Sequence, residues 1–322
     1  MPKTVVFAMF DNVQLLDVSG PAAVLAMVNT LMGETVYDLH YVSGNKDRKV
    51  ITSSQMSINT GSFSDVQCID MLIVPGALED AVDQALEDPV LMSWLGSLSN
   101  KVEVKISVCM GTFFFAKLGW LDNKKATTHW AGINKLQNDY PRVRVTGESL
   151  FQNDGDVWSS GGVTSGIDMM LALITRDFGV EIAIKTAKLL VVYLLRDGRQ
   201  SQFSIPLEFQ TQSNDKNVIS LIAWLEERLD KATSVQDMAA YTNVSVRKLH
   251  NLCQSMFNFG PAQLLSEMRM EKARMLLLQD ERPIKEIAFS LGFSQSAALS
   301  KAFNRRYGIS PAKYREAYSA PE

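Results

Sequence analysis

Apolar and polar positions follow two different periods in two parts of the chain. Up to about residue 200, short apolar runs alternate with longer amphipathic stretches. Residues 4–9, 37–43, 69–74 and 104–108 read as strands, with weaker strand signals at 143–145 and 157–159. Between them, Gly20-Pro21 opens an apolar helix to about Met32. A helical region covers 79–99, and 111–118 is a helix. Two apolar helices, about 165–177 and 180–196, close this part. Strands alternating with helices predict an α/β fold, a mostly parallel sheet sandwiched by helices. Residues 218–317 then carry only the 3.6-residue period, in about seven short helices, so an all-α domain follows.

Residues 198–217, DGRQSQFSIPLEFQTQSNDKN with its preceding Asp197, hold no period and are rich in Gln, Ser and Asn, which marks a linker. Domains are therefore expected at 1–197 and 218–317, with a tail at 318–322.

Two segments of the all-α part each read as a helix-turn-helix. In the first, Ser234 is an N-cap with Asp237 at the capping-box position. Thr242-Asn243-Val244 is the turn, Asn243 suiting a left-handed conformation. Ser245 caps a second helix, with Val246, Leu249 and Leu252 or Cys253 inward and Arg247, Lys248, His250 and Asn251 outward. In the second segment, Pro283 starts a helix with Ile284, Ile287 and Ala288 inward. Leu291-Gly292-Phe293 makes the turn. Ser294 caps a helix carrying Gln295, Ser296, Lys301, Arg305 and Arg306 outward, with Leu299, Ala302, Phe303 and Tyr307 inward. A long helix from Pro261 to about Leu278 joins the two, its buried stripe being Leu264, Leu265, Met268, Ala273, Leu276 and Leu277.

Charge changes what this second part is taken to meet. The whole chain, 322 residues, has net charge −3. Residues 1–215 hold 17 basic and 24 acidic side chains, whereas 216–322 hold 15 basic and 11 acidic. Only the second part suits a polyanion. Helices with a polar, basic face fit the major groove of double-stranded DNA, and two in tandem could enter successive grooves. A solvated basic face on a packing module is the bland alternative.

The text Pro261…Arg269…Ala273, Ile284-Lys-Glu-Ile-Ala288, Leu291-Gly-Phe-Ser294, Phe303-Asn-Arg-Arg-Tyr-Gly308 and Ile309-Ser-Pro311…Tyr314-Arg315 resembles the AraC/XylS-type DNA-binding domain over about 100 residues. Asn251 stands where that family often has a basic residue. Cys253 and Leu299 replace usual aromatics, and Asn258 a usual glycine.

In the first part, Cys109 falls between a buried strand and a helix, the position of a nucleophile elbow. A helix N-terminus there favours a thiolate; a buried, inert cysteine is the other reading. Leu15-Leu-Asp-Val-Ser-Gly-Pro21, the segment Asp70 to Gly76, Ser107-Val-Cys-Met-Gly111, Ala126-Thr-Thr-His-Trp130 and Ser160-Gly-Gly-Val-Thr-Ser-Gly-Ile-Asp168 resemble the ThiJ/PfpI superfamily, with its flavodoxin-like, class I glutamine-amidotransferase-like fold. The resemblance implies that Asp17 lies beside Cys109 and hydrogen-bonds the thiol, as in the isonitrile-hydratase-like branch. That branch has Thr where this chain has Met110, and protease-like branches have His. The candidate catalytic set is thus Cys109, Asp17 and His129, without a complete acid–base pair. The candidate ligand-binding set is Asp17, Gly76, Cys109, Met110 and His129. His129 is expected to stabilise the turn around Trp130 in preference to pairing with Cys109. Three cysteines and three histidines far apart give no metal spacing, so neither metal nor cofactor is expected.

The two resemblances together match GlxA-type transcriptional regulators. They imply a cytoplasmic sequence-specific regulator that binds double-stranded DNA, senses an unidentified small-molecule effector or dimerises through its α/β domain, and has RNA polymerase as a further partner and no membrane. Two alternatives stay open. One is a cysteine-dependent hydratase or amidohydrolase with a DNA-binding appendage. The other is a redox sensor in which Cys109 is oxidised to sulfenic acid.

Overall fold

The computed structural model of the chain describes residues 1–147, 149–192, 198, 202, 216–257, 259–279, 282–307 and 310–318. It divides into two compact units, Met1–Gln202 and Phe203–Glu322. The linker expected over 198–217 lies outside the described residues, apart from Gly198, Gln202 and the first two helical positions after 215.

The first unit starts with β1 (Lys3–Ala8), α1 (Leu15–Met32), β2 (Tyr37–Ser43), β3 (Lys49–Ile51), β4 (Ser57–Asn59), β5 (Gly61–Ser62) and β6 (Met71–Val74). It continues through α2 (Glu79–Leu86), α3 (Pro89–Ser97), β7 (Val104–Val108), α4 (Thr112–Lys117), β8 (Lys125–Ala126), α5 (Ile133–Asp139) and β9 (Arg144–Val145). β10 (Phe151–Asp154), β11 (Val157–Ser160), α6 (Thr164–Phe178) and α7 (Val180–Leu189) complete it.

Among the described residues a seven-stranded sheet runs in the order β10-β11-β7-β6-β1-β2-β5. All neighbours are parallel except the β10–β11 hairpin. Every residue of β6 and β7 is buried, as expected for strands covered on both faces. Lys105, in β7, is the charged exception; its amine reaches Asp156 at 2.7 Å and the carbonyl of Val102 at 3.1 Å. The strand order reverses at β1, with β2 on one side and β6 on the other. Ligands in such sheets gather outside the carboxyl ends of strands flanking that switch point.

Several local expectations need correction. α1 begins at Leu15, and Gly20 and Pro21 lie inside it. Its approach to α6 is close enough that a Cβ on Gly20 would sit 3.0 Å from Ile167. α1 is long and apolar enough to cross a membrane. Here Val18, Val24, Leu25 and Val28 are buried, and the helix packs on α6 and α7. The helical region at 79–99 splits at Asp88, whose carboxylate accepts from the N–H groups of Val90 (2.8 Å) and Leu91 (3.4 Å), with Pro89 at the first helical position. α4 starts one residue later than expected, after a 3₁₀ turn at Cys109–Gly111. α7 ends at Leu189, and positions 193–196 of the expected helix lie outside the described residues.

Helices are the only regular structure among the described residues of the second unit: α8 (Lys216–Glu226), α9 (Val235–Tyr241), α10 (Val246–Phe257), α11 (Pro261–Gln279), α12 (Ile284–Ser290), α13 (Ser296–Tyr307) and α14 (Pro311–Tyr318). One apolar cluster, including Leu225, Met238, Leu249, Leu264, Ile287 and Phe303, holds it together. Ser234 and Asp237 form the capping box that starts α9. Asn243 adopts φ +52° in the turn, and Lys248 N–H donates to Ser245 Oγ at 3.2 Å to start α10. Val246 is exposed, not inward, because it lies at the first residue of the helix, before the buried stripe begins. Pro283 occupies the N-cap of α12 instead of its first turn. α13 starts at Ser296, and Ala298 N–H donates to the carbonyl of Gln295, so Gln295 and not Ser294 holds the N-cap position.

Arg269 on α11 ties distant pieces of this unit together. Its guanidinium donates to the carbonyls of Leu229 (2.9 Å) and Lys231 (2.7 Å) and lies over the Phe293 ring. Gly292, at φ +73°, fits beneath it; a Cβ there would be 2.7 Å from the Arg269 side chain and 2.9 Å from the Leu229 carbonyl.

Candidate ligand site and nucleic-acid interface

Four strand ends converge on Cys109. The residue follows β7 with φ +58°, a strained conformation for a non-glycine residue and the signature of an elbow. Its carbonyl accepts from the hydroxyls of Thr128 (2.9 Å) and Thr112 (3.2 Å), which hold the strained turn in place. Three glycines make room. A Cβ on Gly76 would be 2.6 Å from Met110 N, one on Gly111 2.2 Å from the Val74 carbonyl, and one on Gly162 2.3 Å from Cys109 Cβ.

Asp17, in the first turn of α1, is fully buried. Its carboxylate accepts from Val163 N–H at 2.7 Å and from Gly76 N–H at 3.2 Å, and it is hydrogen-bonded to the Cys109 thiol. Val163 itself sits at φ +52°, a genuine outlier for a β-branched residue. Two strained residues, each just past the end of a different strand, therefore face one carboxylate. Burial pushes the Asp17 carboxyl up to about 6, against the three hydrogen bonds that favour its charged form. Burial and the Asp17 charge push the Cys109 thiol well above its ordinary range.

Of the two readings of Cys109 that the sequence left open, the geometry favours the buried thiol. Cys109 is 6% exposed and is a neutral thiol that donates to an anion. Passing its proton to Asp17 would be uphill, because the carboxylate is the weaker base.

His129 is half-buried, and its Nδ1 accepts from Ala131 N–H at 3.4 Å at the head of the 3₁₀ turn Trp130–Gly132. Burial lowers its pKa, which keeps that nitrogen an acceptor. Among the described residues no hydrogen bond joins His129 to Cys109. Met110 is buried, and its Cε lies 3.3 Å from where a Cβ on Gly132 would be, so it serves packing. The elbow thus brings Asp17, Gly76, Cys109 and Met110 together and leaves His129 on the adjoining turn. The donor from Val163 and the hydroxyls of Thr112 and Thr128 escaped sequence reasoning. The only hint was Gly161-Gly162 after a strand.

Asp17 gives the first unit a measurable pH signature. Its folded pKa lies above its unfolded value near 3.8, so the native state holds the extra proton between them. Stability should fall as pH rises from about 4 to about 6, by on the order of 2–3 kcal/mol. Thermal melts of wild type and Asp17→Asn across that range should diverge, the wild type losing stability relative to the variant as pH rises. Parallel curves would refute the burial of a chargeable group here.

In the second unit Ser245, Arg247, Lys248, His250 and Asn251 are exposed at the start of α10. His250 also lies against Gly260, whose Cβ would be 3.2 Å from the ring. Gln295, Lys301 and Arg305 are exposed on or just before α13, and Ser296 is half-buried. Arg306 is differently placed: its guanidinium is bonded to Glu267 at 2.7 Å. Glu271 accepts from Arg274 (2.8 Å) and from the Tyr307 hydroxyl (3.0 Å), which fixes α13 on α11.

The geometry agrees with what known proteins show. The DJ-1/PfpI family profile matches residues 3–176, and a helix-turn-helix domain profile matches 238–317. The chain belongs to the DJ-1/PfpI family and carries a C-terminal helix-turn-helix domain. It is 28% identical over 316 residues to the HTH-type transcriptional regulator GbdR of Pseudomonas aeruginosa, covering 98% of this chain and 84% of that one. It is 25% identical to the HTH-type transcriptional regulator GlxA of Rhizobium meliloti, covering 96% and 94%. The isonitrile hydratase of Pseudomonas putida is 32% identical over 180 residues, 55% of this chain and 73% of that enzyme. A ThiJ/PfpI family protein from Pseudomonas syringae shares the fold, with TM-score 0.54 and 16% identity over 80% of this chain and 88% of that one.

Proposed function

We infer that this chain senses a small molecule at the Asp17–Cys109 elbow and acts on DNA through its helical unit. It is a DNA-binding transcriptional regulator: relatives that match it from end to end are HTH-type regulators, whereas the hydratase aligns with 55% of it. The observation that carries the sensing role is geometric: the buried Cys109 side chain lies against the buried Asp17 carboxylate, which the Val163 and Gly76 N–H groups hold. A neutral, buried thiol bonded to a buried carboxylate suits recognition of a ligand better than attack upon one. Ligand binding alters transcription when it favours one arrangement of the chain over another.

The exposed residues of α10 and α13 are the proposed DNA contacts, with Arg247, Lys248, Lys301 and Arg305 on phosphates or base edges. Pairing of two chains through the α/β unit would set two helical units on repeated half-sites, and RNA polymerase is the further partner of such a complex. A regulator working on chromosomal DNA would act in the cytoplasm.

Cys109→Ala tests the division of labour. The variant should bind a selected duplex within about twofold of wild type, since the substitution lies in the first unit and the basic helices belong to the second. It should also lose any change of that affinity brought by a screened metabolite. An isonitrile or amide turned over by the wild type and spared by the variant would instead make the first unit an enzyme.

A further inference from the structure

Gln202 makes an arrangement that neither the family resemblance nor the proposed DNA contacts explain. Its side chain closes a cradle of three backbone groups. Trp130 N–H donates to Oε1 at 2.9 Å, while Nε2 donates to the carbonyls of Thr128 at 2.7 Å and Ser149 at 3.2 Å. One donor and two acceptors are the complement of a primary carboxamide. The orientation is fixed, because a flipped amide would turn its oxygen on two carbonyls and its NH₂ on an N–H.

The cradle borders the elbow through one turn. Gly161 has no room for a side chain because Gln202 Cδ would be 2.4 Å from its Cβ. Gly162 has none because of Cys109. Val163 donates to Asp17. Three consecutive residues thus touch Gln202, Cys109 and Asp17 in order. Thr128 makes a second link, its carbonyl on Gln202 and its hydroxyl on the Cys109 carbonyl. Gln202 is also the last residue of the first unit, so the chain leaving this cradle leads to the helical unit.

We propose that Gln202 is a latch: its carboxamide occupies a cradle on the 161–163 turn, and an occupant of the elbow that shifts the turn releases it. The effect on DNA rests on reading the elbow as an effector site; the cradle itself does not. Release of Gln202 changes the affinity of the helical unit for DNA.

The test uses the full chain. In Gln202→Ala, hydrogen exchange at the Trp130 amide should rise about tenfold, the loss expected for one backbone-to-side-chain hydrogen bond. Gln202→Glu should protect the Trp130 amide less than wild type does, since its carboxylate can accept from that N–H but cannot donate to Thr128 and Ser149 and is repelled by their carbonyls. Excess propionamide, but not propionate, should restore protection in Gln202→Ala. Affinity for a selected duplex is then measured in wild type, Asp17→Asn, Gln202→Ala and the double variant. Non-additivity beyond about twofold supports a latch that reads the elbow. Unchanged Trp130 exchange overturns the cradle, and strict additivity overturns the latch. Failure of the effector-site reading would look different: the cycle would be non-additive, yet no small molecule would shift the duplex affinity.

Discussion

Replacing Arg247 and Lys301 together by alanine should lower the affinity of the full chain for its duplex on the order of a hundredfold. Each side chain projects from a different exposed helix face, α10 and α13, and neither is held by an ion pair among the described residues. If each holds a phosphate or a base edge, each contributes about 1–3 kcal/mol. Were both on phosphates, the slope of log affinity against log salt should become shallower by about 2. Arg306→Ala is the informative contrast. Its guanidinium is already neutralised by Glu267, so the substitution should loosen α13 on α11 and alter DNA affinity far less. Lys188→Ala, exposed on α7 of the other unit, should change nothing. A gel shift at moderate salt that leaves the Arg247/Lys301 double variant unchanged would place the contact face elsewhere.

The second large effect is expected at the elbow. Gly162→Ala should destabilise the first unit by on the order of 3 kcal/mol or more, combining overpacking with a positive-φ alanine. The added Cβ would lie 2.3 Å from Cys109 Cβ and 2.8 Å from its sulfur, at φ +88°. Neither neighbour is the far end of a flexible side chain, so the turn must move. Gly155→Ala is the control: φ is +65°, but nothing lies within 4 Å of the new Cβ. Only the backbone cost of about 1–2 kcal/mol applies there. In a thermal melt the first variant should fall by about 6–12 °C and the second by about half of that or less. Equal shifts would mean that the crowding at Gly162 relaxes freely.

Features set by neighbours in sequence were legible before the fold was known. The Ser234–Asp237 capping box, the left-handed Asn243 and the turn at Gly292 all depend on residues a few positions apart, and each lies where the pattern puts it. The position of Cys109 between a strand and a helix was equally local. Features set by distant groups were not. The state of the Cys109 thiol depends on burial and on a carboxylate 92 positions away, so local sequence left thiolate and buried thiol both open. Val163 carries no signal of its own, because its backbone conformation is imposed between Asp17 and the elbow. Gln202 sits in a stretch whose composition reads as a linker, and only the cradle gives its side chain a place. Proline was misread in one case and passed over in another. Pro89 sits at a first helical position with Asp88 as its cap, whereas Pro21 lies inside α1, where packing on α6 overrides its preference for a helix start.

The most direct test of the account is selection of duplexes from a random pool by the full chain, followed by footprinting at two salt concentrations. Two recognition helices on one unit predict enriched sequences with two short motifs about one helical turn, roughly 34 Å, apart. Protection of both motifs should weaken in Arg247→Ala at one and in Lys301→Ala at the other. A pool that shows no enrichment at low ionic strength would contradict it.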